Sequence, residues 1–181
     1  GAISIGEPSD KAAWSYQSIA DYYGTQAPQE ALTVHFKDLG QRPFLAGEDG
    51  VRLSLAGGQK KTALTVLDSA GAPKLGLPQE GDQLAIPMSG APSTIIIKPD
   101  NSNLHGIVEN EAYCLTLAKL VGMDVADIGI IDVEDRTALA VARYDRTTRK
   151  DGSIRRFHQE DFAQANSIFP SQKYEQGTVA G

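Results

Sequence analysis

The chain has 181 residues, 41% of them hydrophobic and 22% charged, enough to bury one good core or two small subdomains without disulfides or metals. A net charge of −6 argues against a nucleic-acid surface spread over the whole chain, and the lone Cys114 excludes an internal disulfide. His35, His105 and His158 lack metal-ligand spacing, so no zinc site is expected, and no apolar run approaches the ~18 residues of a membrane span, so a cytoplasmic protein with no membrane contact is expected.

From about Asp10 to Tyr23 the apolar positions Ala13, Tyr16, Ile19, Ala20 and Tyr23 recur at helical spacing, and Gly24 stands where a helix stop favours glycine. The pattern predicts an N-terminal helix of about four turns. A second, shorter helix is predicted from about Pro28 to before Gly40, although the alternation of Thr33, Val34, His35 and Phe36 also fits a strand. Residues 47–50 read as a turn by composition, and this whole stretch reads as a structural approach to the core.

Short strand patterns follow at 52–55 and 62–67, separated by Ala-Gly-Gly-Gln-Lys-Lys at 56–61, and another at 83–87 after a turn at 68–73. A strand, a glycine turn and a returning strand can point backbone N–H groups into one concavity that binds phosphate; the same glycines also suit a plain hairpin turn that needs positive φ. A P-loop is disfavoured. That motif needs Gly immediately before its Lys and another five positions earlier, where this chain has Lys60 and Leu55, and it needs a helix where residues 62–67 read as a strand.

The run Thr-Ile-Ile-Ile-Lys at 94–98 is β-branched and suited to burial on both faces, so Lys98 presents one ammonium from a rigid strand. Beyond it a helix is predicted from about Glu109 to Val121. Ala112, Leu115, Ala118 and Val121 lie on one side of it, Tyr113, Leu117 and Leu120 widen the apolar face, and Gly122 stands just past the end. Cys114 is expected there as a buried thiol. Glu111 opens this helix as a pairing candidate for Lys98, the arrangement with which protein kinases fix the cation that grips ATP phosphates. Each residue also has a simpler role open to it, as a solvated strand end and as a carboxylate complementing the helix dipole.

Strands at 127–133 and 137–144, joined by Glu134, Asp135 and Arg136, read as an antiparallel pair. The basic stretch Arg146, Arg149, Lys150, Arg155 and Arg156 reads as a solvated hairpin before a nucleic-acid patch. A last helix starts from His158, where Glu160 and Asp161 suit the helix dipole better than acid–base chemistry. Together these elements predict an α+β fold: an antiparallel sheet of about five strands, like a kinase N-lobe, with one packed helix and a preceding N-terminal helical segment. No initiator methionine is present and residues 176–181 have loop composition, so a piece of a longer protein is expected.

Five blocks in order resemble the HipA family of toxins: residues 54–64, the Ile-Ile-Lys strand, Val-Glu-Asn-Glu-Ala-Tyr-Cys at 108–114, Ala-Val-Ala-Arg-Tyr-Asp-Arg at 140–146 and His-Gln-Glu-Asp-Phe at 158–162. The resemblance spans roughly residues 42 to 176. It implies a serine/threonine protein kinase toxin of a type II toxin–antitoxin system, associated with persistence and using ATP and Mg2+. It also implies a HipB-like antitoxin as partner, DNA reached only through that antitoxin, and a protein substrate such as an aminoacyl-tRNA synthetase, glutamyl-tRNA synthetase in the best-known relatives. Residues 1–50 would then be an N-terminal helical and linker segment, 51–146 the ATP-loop region up to the hinge, and 147–181 the start of a truncated C-terminal lobe.

By position, the resemblance implies that Ala56, Gly57, Gly58, Gln59, Lys60 and Lys61 form the ATP loop, that Lys98 holds ATP phosphates and that Ala142, Arg143 and Tyr144 are the hinge to adenine. Ser54 matches the loop-edge serine that the family autophosphorylates, although a strand serine facing solvent reads the same way. Gly58 and Lys60 stand where the family's familiar loop has Ala and Glu, and Ala142 replaces a hinge glutamate. No Asp-x-His-x-Lys-Asn loop and no later magnesium-binding aspartate occurs in these residues, so neither a catalytic base nor a metal ligand is expected among them. The portion of an active kinase is one reading; a non-catalytic nucleotide- or antitoxin-binding module is the alternative, and an unrelated interaction domain would need the ordered blocks to be accidental.

Overall fold

A computed structural model describes residues 14–41, 59–100, 105–134 and 136–169. Ser54, Ala56, Gly57, Gly58, the strand expected at 52–55 and the turn expected at 47–50 lie outside the described residues. The chain opens with β1 (Ser15–Ser18), α1 (Ile19–Tyr23) and α2 (Pro28–Gln41), and continues with β2 (Thr62–Leu67), β3 (Pro73–Lys74), β4 (Gln83–Met88) and β5 (Ile95–Pro99). There follow α3 (Ile107–Leu120), β6 (Ile128–Val133), β7 (Arg136–Ala142), the hairpin β8 (Arg146–Thr148) and β9 (Ile154–Arg156), and α4 (Phe162–Ala165).

Among the described residues these elements form a mixed α+β fold with an antiparallel seven-stranded sheet in the order β1-β4-β2-β5-β7-β6, β3 pairing with β2. The arrangement is consistent with a kinase N-lobe. β5 lies near the middle, and register assigns its faces. Ile95 stands opposite Leu64 and Ala142, and Ile97 opposite Thr62 and Ala140. Cross-strand partners share a face. This face joins Ile131 and Val133 of β6 to Ile19, Ala31, Leu32, Phe36 and Leu39 from α1 and α2 in one apolar core. Each fully buried Ile or Leu there contributes about 2 kcal/mol of transfer free energy. The alternate residues Ile96 and Lys98, with their partners Val141 and Leu139, lie on the other face, where Leu139 is buried and the other three are partly exposed.

Of the predicted N-terminal helix, residues 10–13 lie outside the described residues, and over the rest a strand takes the place of the helix as far as Ser18. Residues 15–18 form β1 on the edge of β4, with Tyr16 opposite Pro87, and the helix starts only at Ile19. Ser18 explains the boundary: its hydroxyl accepts from the Asp21 amide at 3.4 Å, an N-cap that fixes the first turn after it. An unfilled edge outcompetes a weak helical pattern. Gly24 does end α1, at φ 65. For the next segment the helix prevails over the strand alternative, because residues 31, 32, 35, 36 and 39 then fall buried on one side.

α3 forms over the expected residues but is not buried as expected. Val108 is its one fully buried residue, whereas Tyr113, Leu117, Leu120 and Val121 are exposed, and Cys114 is exposed rather than a buried thiol. The reason is geometric: α3 touches β6 and β7 along one side, and its apolar residues run around the helix, so one contact cannot cover them. The basic hairpin is present as β8 and β9, but Arg146 is buried instead of solvated. α4 begins at Phe162, four residues after His158, because Asp161 caps it in a reciprocal box with Gln164. Among the described residues no helix is long and apolar enough to cross a membrane.

Candidate functional site

Lys98 and Glu111 meet. β5 presents Lys98 from the face opposite the main core, and α3, entered through Gly106 at φ 79, brings Glu111 over that face. Lys98 Nζ donates to Glu111 Oε1 at 2.5 Å, with the side chains 21% and 27% exposed. Such partial shielding strengthens a charge pair relative to a fully solvated one while leaving it within reach of a ligand.

A second ammonium lies beside this pair. Thr62 pairs with Ile97, so one further step of the same register sets Lys61 against Lys98. Burial holds the Lys61 ammonium below the ordinary lysine range, the neighbouring Lys98 charge pushes the same way, and Glu111 opposes both. Two ammoniums on adjacent strands, faced by the Glu111 carboxylate of α3, concentrate charge on a surface reachable by an oxyanion. Of the remaining loop residues, Lys60 is exposed, while the Gln59 Nε2 atom is buried without a hydrogen-bond partner. The two ammoniums suit a polyphosphate, and the partly exposed Ile96 and Val141 suit an apolar ring.

Ala142, Arg143 and Tyr144 lie at the end of β7, level with the start of β5. The Arg143 amide donates to Thr94 O at 3.0 Å and the Ala142 amide to Asp127 O at 2.8 Å, so the segment is held as an extension of the sheet. The Arg143 side chain turns inward. Its Nε and Nη2 donate to Asp145 Oδ1 and Oδ2 at 3.0 and 2.8 Å, and its Nη1 to Ser93 Oγ at 3.3 Å. Arg146 donates from Nη1 to Asp145 Oδ2 at 2.6 Å and from Nε to Ser93 O at 2.7 Å. Tyr144 is exposed, and its hydroxyl donates to Gln159 Oε1 at 2.7 Å.

Burial alone would raise the Asp145 carboxyl, but the bonds and charges of Arg143 and Arg146 outweigh it and hold it below the usual carboxylate range. Burial, together with the charge of Arg143, pushes Arg146 down to about 10. Asp145, Arg146 and Ser93 were not legible as a unit in the sequence. The available signal was the placing of one carboxylate, Asp145, between two arginines, Arg143 and Arg146, within four residues of chain.

The family profile of the HipA-like C-terminal domain matches residues 53–181. The chain is 36% identical over 174 residues to the candidate kinase Y4mE of Sinorhizobium fredii, covering 96% of this chain and 38% of that protein. It is 34% identical over 153 residues to the serine/threonine-protein kinase toxin HipA of Shewanella oneidensis, covering 84% of this chain and 32% of that protein. Among solved structures, the Shewanella oneidensis toxin–antitoxin complex of HipA, HipB and its operator DNA contains a chain that superposes with a TM-score of 0.60 at 26% identity, over 99% of this chain and 36% of that one. The chain therefore spans less than two-fifths of the length of these relatives.

Proposed function

Because the chain belongs to the HipA-like C-terminal domain family, we propose that it forms the ATP-binding lobe of a serine/threonine protein kinase toxin. The observation that carries this reading is the Lys98–Glu111 pair between a central strand and the helix laid over it. Glu111 holds the Lys98 ammonium in place for the α- and β-phosphates, and Lys61 adds a second ammonium beside it. Ala142, Arg143 and Tyr144 face the purine. Ile95, paired with Ala142, and Lys98 are three residues apart on β5, roughly 10 Å at strand rise, so a nucleotide laid along the strand reaches from hinge to lysine.

Bound ATP supplies the phosphoryl group. Its Mg2+ ligands and the base for the acceptor hydroxyl come from outside these residues, which contain neither motif. The similar Shewanella oneidensis HipA, solved with HipB and operator DNA, supports a HipB-like antitoxin as partner and DNA contact through it. An aminoacyl-tRNA synthetase is the protein substrate proposed.

In the full-length protein, Lys98→Ala is expected to lower phosphoryl transfer by about 10²–10³-fold, while the fold, read by circular dichroism, is retained. Undiminished transfer by that variant would overturn the assignment. ATP binding by the wild type without any transfer would favour the non-catalytic module instead.

Ser54 is proposed as an autophosphorylation site. A phosphate there adds about −1.5 to −2 charge beside the loop that cradles ATP phosphates, repelling them, while Lys60 and Lys61 pull the phosphate inward. Mass spectrometry after ATP incubation is expected to find phosphate on Ser54 together with reduced activity; undiminished activity of the phosphorylated protein would exclude autoinhibition.

A further inference from the structure

Asp145 sits at a buried junction that the phosphate chemistry does not use. Both of its carboxylate oxygens are engaged by Arg143, and Arg146 shares Oδ2. The two guanidiniums then reach Ser93, Arg143 at the hydroxyl and Arg146 at the carbonyl. Ser93 is 4% exposed and Asp145 6%, so these bonds are shielded from water and correspondingly strong.

The connections out of this junction run to both ends of the proposed nucleotide site. Thr94 follows Ser93, accepts the Arg143 amide, and leads into the strand that carries Lys98. On the other side the Phe157 amide donates to Asp145 O at 3.0 Å, and Arg156 Nη2 donates to Gly90 O and Ala91 O at 2.8 and 3.0 Å. The hairpin and the hinge are thus tied to one short turn, residues 90–93, just before β5. The surplus of arginines does not make an anion site, since Arg143 and Arg146 both point at Asp145 and Ser93, and Arg156 points at carbonyls.

We infer that Asp145 is a positioning residue that fixes the hinge at residues 142–144 relative to Lys98, and so governs how well the purine end of a nucleotide is held, independently of its phosphate end. This rests on the ATP-binding reading above. Removing the carboxylate charge leaves the half-buried Arg143 and the buried Arg146 guanidiniums facing each other across an uncharged amide. The strain is relieved by movement of residues 143–146, which include the hinge residues Arg143 and Tyr144, while the paired strands β2 and β5 keep Lys61 and Lys98 in register.

The test uses the full-length kinase and two probes: ATP as substrate, and inorganic tripolyphosphate as a competitor that needs only the cations. Asp145→Asn is expected to raise KM for ATP about tenfold with kcat within about threefold, to leave the tripolyphosphate inhibition constant within about twofold, and to be partly rescued by Asp145→Glu. An unchanged KM, or a tripolyphosphate constant that rises in parallel with KM, overturns the inference. If Asp145→Asn does not fold, Arg143→Lys carries the same test, because it keeps the charge and loses the two-point fork; its KM is expected to rise about threefold by the same criterion. Lys98→Ala in the same assay separates the two claims: full activity there defeats the ATP reading, whereas its loss alongside a normal Asp145→Asn defeats only the hinge role.

Discussion

His35 anchors the strand through which the loop enters the site. Its Nε2 lies 2.9 Å from Thr62 Oγ1, next to Lys61, and its Nδ1 lies 2.8 Å from the Tyr23 hydroxyl, which donates onward to Asp38 Oδ2 at 3.2 Å. A neutral imidazole, with one ring nitrogen donating and the other accepting, can satisfy both contacts. Burial pushes its pKa down to about 4, against the upward pull of Asp38. An unfolded histidine titrates near 6.5, so the unfolded chain takes up the proton first as pH falls. The stabilisation from a neutral His35 is complete above that value and is lost progressively toward pH 4, about 2 kcal/mol of it by pH 5. Urea unfolding at pH 7.5 and pH 5 measures this, and His35→Gln is expected to show a clearly shallower difference.

At the scale of elements, α3 presents the sharpest mismatch between pattern and environment. Its sequence reads as an amphipathic helix, and helix formation follows; yet Leu120 is 78% exposed. Leu120→Lys is therefore expected to change the unfolding free energy of the chain by no more than about 0.5 kcal/mol in urea titration. A loss of several kcal/mol would mean that the side chain is buried in solution. By contrast, Ile97 lies fully buried between β2 and β7, and Ile97→Ala is expected to cost roughly 2–5 kcal/mol in the same unfolding experiment. Local pattern located both elements correctly. It could not tell which would find a partner, because periodicity describes a face and not what covers it.

For the molecule as a whole, the sheet separates two tasks. One face, under α1 and α2, holds the apolar core; the other carries Lys98, which meets Glu111 of α3. Since magnesium ligands and base are proposed to come from elsewhere, the 181 residues alone are expected to bind ATP only in the millimolar range by titration calorimetry. A dissociation constant below about 10 μM would contradict that division of labour.

The sequence by itself determined the strands at 62–67, 83–87 and 94–98 and the helix around Glu111. These depend on composition and spacing within short windows, where β-branched runs and helical periodicity act directly on the backbone. Tertiary structure alone decided that residues 15–18 join the sheet, that Lys61 comes to stand against Lys98, and that Asp145 gathers Arg143, Arg146 and Ser93. Each of these depends on which strand edges meet and in what register. A register is chosen by the burial of whole faces at once, so no local stretch of the chain carries it.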